Sequence, residues 1–279
     1  AGYHVQIGGT HQNAHRAYTP SGINNGYVPS WNEASGSGDS IFVNSWAAHR
    51  IHTNTTAEVK YLPTGCNKVT IFLGGGGGGG GATGKSNNQN YGPAGGGGGG
   101  GAMLAEGINV FGKTNDYYNV KAGAAGTGGI AYDAYGNAGG NSHFQFVNKH
   151  WSANCGNGGG HGYIKGGKGN EGSAGNGTWT GSGEGEVAWT GNAGTAATNV
   201  EHGSAGGYYN WQVANNTHGN HLRVYSEGGP TINNNANGQP AAYYGGGGGG
   251  SGGRNKSAGG NGVGGNGKQG VVIVHFRYD

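Results

Sequence analysis

The chain of 279 residues carries 72 glycines, 15 Lys+Arg against 12 Asp+Glu, and only 32% hydrophobic side chains. Its net charge of +3 is too weak and scattered for a nucleic-acid surface or a polybasic membrane patch, and its aliphatic content is too low to fill two ordinary cores. Backbone must therefore take part in the packing, and with 16 Tyr and 6 Trp the chain reads as folded, unlike a low-complexity linker.

Taken in order, residues 1–57 alternate short apolar pieces with Ser, Thr, Asn and Gly and show no helical periodicity, which suggests short strands and loops in an attachment or packing module. The remainder, 58–279, is the glycine-rich part. Residues 58–62 alternate polar and apolar, Pro63 to Gly65 make a turn, and the β-branched stretch 68–73 reads as a strand that launches the first pure glycine run, 74–81. A second run, 95–101, leads into the apolar segment 102–112, and 117–121 alternates again before a small-residue tract, 122–129. Between 130 and 244, short glycine pieces alternate with segments carrying Tyr132, Tyr135, Trp151, Trp179, Trp189, Tyr208, Tyr209 and Trp211, and Tyr243 and Tyr244 precede a third run, 245–250. The terminal stretch 271–278 is a second strong strand, expected to pair with 68–73.

Three glycine runs inside a fold need a physical reason, because ordering glycine costs more backbone entropy than ordering any other residue. The absence of a Gly-X-Y period and the presence of only six prolines exclude a collagen triple helix. The reading that remains is extended threefold helices lying side by side, with each N–H and C=O paired to a neighbouring run and no side chain to hold the backbones apart. The expected fold is thus mostly non-helical: a polyglycine-II bundle, or sandwich, framed by a few β-strands. Long loops rich in aromatics and Asn join the runs, and Gly74, Gly77, Gly80, Gly95, Gly98, Gly101, Gly245 and Gly248 lie in its core.

Several motifs invite a chemical reading. Residues 79–86 satisfy the phosphate-loop pattern G-x-x-x-x-G-K-S, but the sequence after Ser86 cannot make the helix whose N-terminus such a loop needs. His pairs such as His49/His52 have metal-like spacing only on a helix, and the histidines read as scattered and solvated, with no metal site. Glu184 and Glu186 are the nearest carboxylate pair, in a glycine tract without supporting residues, so catalysis is not expected and no cofactor is implied. Cys66 and Cys155 are either one disulfide or two unpaired small hydrophobes, and the sequence favours the second.

The order of these segments resembles the glycine-rich domain at the tips of bacteriophage tail fibres, including the detachable adhesin of T-even-type phages. An apolar strand runs into polyglycine at 69–81, a second run leads into 102–110, and a glycine/asparagine stretch ends in a Val/Ile strand at 259–278. The resemblance covers about residues 58–279. It implies a non-enzymatic receptor-binding protein on the virion, acting extracellularly, whose loops touch a bacterial outer-membrane protein or glycan. It also implies attachment to a fibre shaft or to other copies, without membrane insertion. The loop aromatics named above, with Tyr243 and Tyr244, are the expected contact residues, since rigid rings give contact area at low entropy cost. An extracellular structural or ice-binding glycine-rich protein is the alternative.

Overall fold

A computed structural model describes residues 5–6, 42–43, 47–84, 92–112, 116–163, 169–173, 175, 177–180, 186–189, 194, 206, 210–212, 223–225, 229, 236–253 and 262–277. Among these there is no helix. The strands are β1 (Val5–Gln6), β2 (Phe42–Val43), β3 (Ala47–His52), β4 (Glu58–Tyr61), β5 (Lys68–Gly74), β6 (Ala102–Asn109) and β7 (Tyr117–Lys121). They continue as β8 (Ser142–Phe146), β9 (Lys149–Ala153), β10 (Gly177–Thr180), β11 (Glu186–Trp189), β12 (Asn210–Gln212), β13 (Arg223–Tyr225) and β14 (Val271–Arg277).

Two open antiparallel sheets carry the side-chain core, in the orders β11-β6-β5-β14-β3 and β10-β9-β8-β7-β4. With the two-residue period of a strand, Val69, Ile71 and Leu73 of β5 and Val272, Val274 and Phe276 of β14 point to one face. There they meet Tyr118 and Val120 of β7, Phe144 and Phe146 of β8, and Trp151 and Ala153 of β9. Tyr118 stacks on Phe144 with centroids 5.1 Å apart, and Phe144 leans on Trp151 at 5.8 Å. Phe72, Leu104 and Val271 form a second buried cluster on the opposite face of the first sheet. Burial on both faces explains why β5 and β14 are nearly continuous apolar runs.

β14 pairs with β5 as its sequence suggested, from Val271 opposite Gly74 to Arg277 opposite Lys68. β3 lies on the other side of β14, with His52 opposite Val272, so residues before position 57 add a strand to this sheet. At the open edge, a polar group ties β3 to the second sheet. His52, 4% exposed, sits 3.1 Å from the Tyr118 hydroxyl through Nε2, and Arg50 Nη1 donates to the same hydroxyl at 3.3 Å and to Tyr61 O at 3.2 Å.

At one end of the sandwich the strands run on as glycine tracts. β5 continues into residues 75–84, β6 is reached from 92–101, β7 leaves as 122–130, β8 is reached from 134–141, β9 leaves as 154–163, and β14 is reached from 262–270. The first tract donates its amides with a period of three. Gly75, Gly78 and Gly81 bond to the carbonyls of Gly101, Gly98 and Gly95; Gly76, Gly79 and Ala82 to Gly140, Asn137 and Ala134; Gly77, Gly80 and Thr83 to Lys268, Gly265 and Gly262, all at 2.8 to 3.1 Å. Its carbonyls follow the same rule, those of Gly76 and Gly79 accepting from Gly156 and Gly159, Gly77 and Gly80 from Gly126 and Gly129, Gly78 and Gly81 from Gly248 and Ser251.

The six surrounding tracts are bonded to one another in a closed ring, through Gly98 to Asn157, Gly97 to Gly248, Lys268 to Gly246, Gly264 to Gly129, Gly140 to Ala124 and Gly139 to Gly156. Residues 75–83 are therefore the axis of the bundle, and its buried backbone groups find partners without forming strand or helix. Side chains supply partners to several other tract amides: Ser142 Oγ accepts from Gly123 N at 2.8 Å and donates to Gly74 O at 2.6 Å, and Asn266 Oδ1 accepts from Gly128 N at 2.8 Å. Gly74, Gly77, Gly80, Gly95, Gly98, Gly101, Gly245 and Gly248 are all buried. Gly74 closes β5, and Gly245 turns the chain into its tract with φ +73°, a conformation that side chains disfavour.

Candidate functional site at the tip of the glycine bundle

The tracts end in a tip facing away from the sheets. The turn joining 122–130 to 134–141 is closed by Ala134 N donating to Ala131 O at 3.1 Å, and it is docked on the axis by Asp133 N donating to Thr83 O at 3.0 Å. Asp133 takes φ 58°, a left-handed conformation that short polar residues tolerate better than branched ones. The neighbouring tract 154–163 ends beside it, held by Gly162 N to Ala82 O at 2.9 Å and by Gly92 N to Tyr163 O at 3.1 Å.

These two chain segments assemble an aromatic cluster around His161. Tyr135 meets its ring edge-on, with centroids 4.6 Å apart at 83°, and Tyr163 lies against it at 4.8 Å and 55°. His161 Nδ1 is 2.9 Å from Gly162 O, which can only accept, so this nitrogen carries the proton, and the Asp133 carboxylate lies 3.9 Å from the same atom. In the neutral ring Nε2 is then the acceptor. Tyr135 is 60% exposed, Tyr163 41%, and Ile130 on the adjoining turn 76%. A glycine bundle has no side-chain core at its end in which to bury such rings, so residues at the tract ends stay on the surface while the backbone beneath them is fixed.

The expected contact residues do not form one site. Tyr132 and Tyr135 lie at the tip. Trp151, expected in a binding loop, is instead fully buried on β9, where alternation turns it inward with Phe144 opposite. Trp179 lies on β10 opposite Trp151, Trp189 on β11 opposite Ala102, and Trp211 on β12 opposite Val224, so all three sit in strands and not in loops. Tyr208 and Tyr209 fall outside the described residues. Tyr243 and Tyr244 are exposed at the sheet end of the tracts, next to Gly245, whose carbonyl accepts from Gly100. That is about 25 Å from the tip, the reach of eight extended residues.

Asp133, His161 and Tyr163 were not legible as site residues. The histidines also divide more sharply than a solvated scatter: His52 and His275 are each 4% exposed, and His161 is part of the tip cluster. A usable signal exists in the residues that interrupt a glycine tract at its end, as His161 and Tyr163 do after 158–160.

In the phosphate-loop match, the amides of Gly79, Gly80, Gly81, Ala82 and Thr83 all donate to neighbouring tracts, so those five are not open to a phosphate, and Lys85 and Ser86 lie outside the described residues. Cys66 and Cys155 are both free, so the possible bridge is not formed. Burial pushes the Cys66 thiol up to about 11 and raises that of Cys155, which keeps both protonated and poorly nucleophilic. Glu186 lies on β11, and Glu184 is outside the described residues. Among the described residues no group of three His, Cys, Asp or Glu is placed to hold a metal ion, and no helix is long and apolar enough to cross a membrane.

A helix-free pair of sheets extended by laterally bonded glycine tracts defines a class of protein in which backbone replaces side chains as the scaffold. The profile of the glycine-rich domain family matches residues 53–277, and the chain belongs to that family. No curated protein sequence matches it.

Proposed function

We propose that the chain is a receptor-binding module, the adhesin of a bacteriophage tail-fibre tip, in which polyglycine-II helices hold a recognition surface rigid. The observation that carries this reading is the pair of exposed rings, Tyr135 and Tyr163, packed on the part-buried His161 and standing on a bundle whose backbone is bonded on every side. The threefold period of those bonds supports polyglycine II, which has three residues per turn and no bonds within a chain. Preorganised aromatics lower the ordering entropy of binding, and several copies on a virion add avidity to a weak single contact. The sandwich end carries Phe111, 71% exposed, and Val147, 39% exposed, and suits attachment to a shaft.

The test is binding of the purified chain to a panel of whole bacteria by flow cytometry, beside a Tyr135→Ala/Tyr163→Ala variant and a Tyr243→Ala/Tyr244→Ala variant. Saturable binding to a few strains is expected, lowered more than about ten-fold in the first variant and unchanged in the second, with melting curves superimposed. Equal binding of all three proteins would move the site away from the tip. Binding to no strain would overturn the receptor reading.

A further inference from the structure

The second sheet leaves one edge open. In the order β10-β9-β8-β7-β4, strand β4 has β7 on one side and, among the described residues, no strand on the other. Leu62 N donates to Asp116 O at 2.6 Å, and antiparallel bonding alternates along the register, so Lys60 and Glu58 share the ladder with Tyr118 and Val120. The N–H and C=O groups of Val59 and Tyr61 therefore point away from the sheet. Arg50 agrees with that direction, since its Nη1 reaches Tyr61 O from outside the ladder at 3.2 Å. No proline or glycine interrupts residues 58–61, the register runs without a bulge, and Val59 and Tyr61 are 56% and 65% exposed. Such an edge accepts a further strand.

We infer that β4 pairs antiparallel with β4 of a second copy of this chain, about a two-fold axis through Val59. In that register the two Val59 residues exchange backbone bonds, and Tyr61 N–H reaches the carbonyl of the partner's Ala57. Alternation puts Glu58 and Lys60 on the inner face and Val59 and Tyr61 on the outer one. Each Glu58 then faces the partner's Lys60. Within one chain Glu58 already stands 3.5 Å from Lys60 and accepts from Asn54 Nδ2 at 3.0 Å, so the pairing requires no vacant carboxylate. It sets two Glu58 and Lys60 pairs side by side, and every neighbour across the axis carries the opposite sign. Other registers fail on charge or on face. An axis through Lys60 would put two ammonium groups directly opposite each other, and an axis between Val59 and Lys60 would set inner residues against outer ones. On the outer face, Tyr61 packs on Tyr117 with centroids 6.5 Å apart, and the pairing joins these rings through Val59 into one apolar stripe across both copies. Because it reverses β4, the two glycine bundles extend in opposite directions.

The inference concerns the free chain and is independent of the receptor reading. Sedimentation equilibrium of the full chain should show a dimer that dissociates on dilution, with a Kd on the order of 1–100 µM for so short a strand. A monomer at every concentration up to about 500 µM would overturn it. Glu58→Lys and Lys60→Glu should each be monomeric, because like charges then face each other across the axis, and an equimolar mixture of the two should regain the dimer. Val59→Pro removes an outward N–H and no bond of the β7 ladder, so it should raise the Kd more than about ten-fold while the melting curve stays in place. A wild-type Kd for Glu58→Lys alone would overturn the register, and a wild-type Kd for Val59→Pro would overturn pairing through β4. Melting curves identify a variant that has not folded, and the folded ones then decide.

Discussion

Gly77→Val is expected to abolish the soluble folded protein, and Gly98→Val to do nearly the same. A Cβ at Gly77 would land on the carbonyl oxygen of Gly246, with the Gly246 carbon and Gly247 nitrogen close behind, and one at Gly98 on the carbonyl of Ser173. Every one of those atoms is backbone, so no side chain can swing away to make room. The tract must move as a whole, and Gly77 lies on the axis, where displacement stretches bonds to Lys268 on one side and from Gly126 on another. Each buried backbone group left without a partner costs about 1–3 kcal/mol. Three or four such losses come to about 3–12 kcal/mol, the same order as the whole stability of an ordinary domain. Ala125→Val, at an exposed position of an outer tract, is the control and should change stability by less than about 0.5 kcal/mol. Soluble yield and thermal melting measure the difference, and wild-type melting of Gly77→Val would refute a packed axis.

The second large effect is loss of stability in acid, carried by His52. Burial first, then the positive charges of Arg50 and Lys60, holds its pKa down at about 3, against 6.5 for an ordinary histidine. Glu58 Oε2 stands 3.9 Å from Nδ1 and favours the charged form, but the net direction shows that burial prevails, so the contact is not an ion pair at neutral pH. Between pH 6.5 and 3 the unfolded chain binds a proton here that the folded chain refuses, so stability falls as pH falls through that window. The slope from this one group is about 1.4 kcal/mol per pH unit, and its full extent is on the order of 5 kcal/mol. Above pH 7 it contributes nothing. His52→Gln, which retains a polar partner for the Tyr118 hydroxyl, should remove that slope. Urea unfolding of both proteins at pH 7 and pH 4.5 reads the difference, and parallel losses in the two would assign acid sensitivity elsewhere.

What could be read from the residues followed local rules. Residues 68–73 and 271–278 are apolar and β-branched enough to declare themselves strands, and their partnership follows from being the two best strands flanking the glycine region. The demand that buried glycine backbone find lateral partners pointed to side-by-side tracts. It did not reveal which run is the axis, because that depends on the pairing of six tracts scattered from Ala94 to Gly270. Sheet membership was not legible either: β6 and β7 are neighbours in sequence but belong to different sheets, which a local pattern cannot show. Trp151 was misplaced because short, polar-flanked β9 looks like a loop, and only its pairing with β8 turns the indole inward. The tip escaped for a related reason, since Asp133 and Tyr135 come from one turn and His161 and Tyr163 from the end of another tract.

The most direct test is residue-resolved amide hydrogen exchange on the first glycine run. A glycine linker exchanges as fast as an unfolded peptide, whereas the amides of residues 76–83 donate to carbonyls inside a closed ring of six tracts. They should therefore exchange as slowly as the amides of β5 and β14, through opening of the whole domain. Exchange of that run at unprotected rates while β5 and β14 remain protected would contradict the account, and with it the rigid support proposed for the tip.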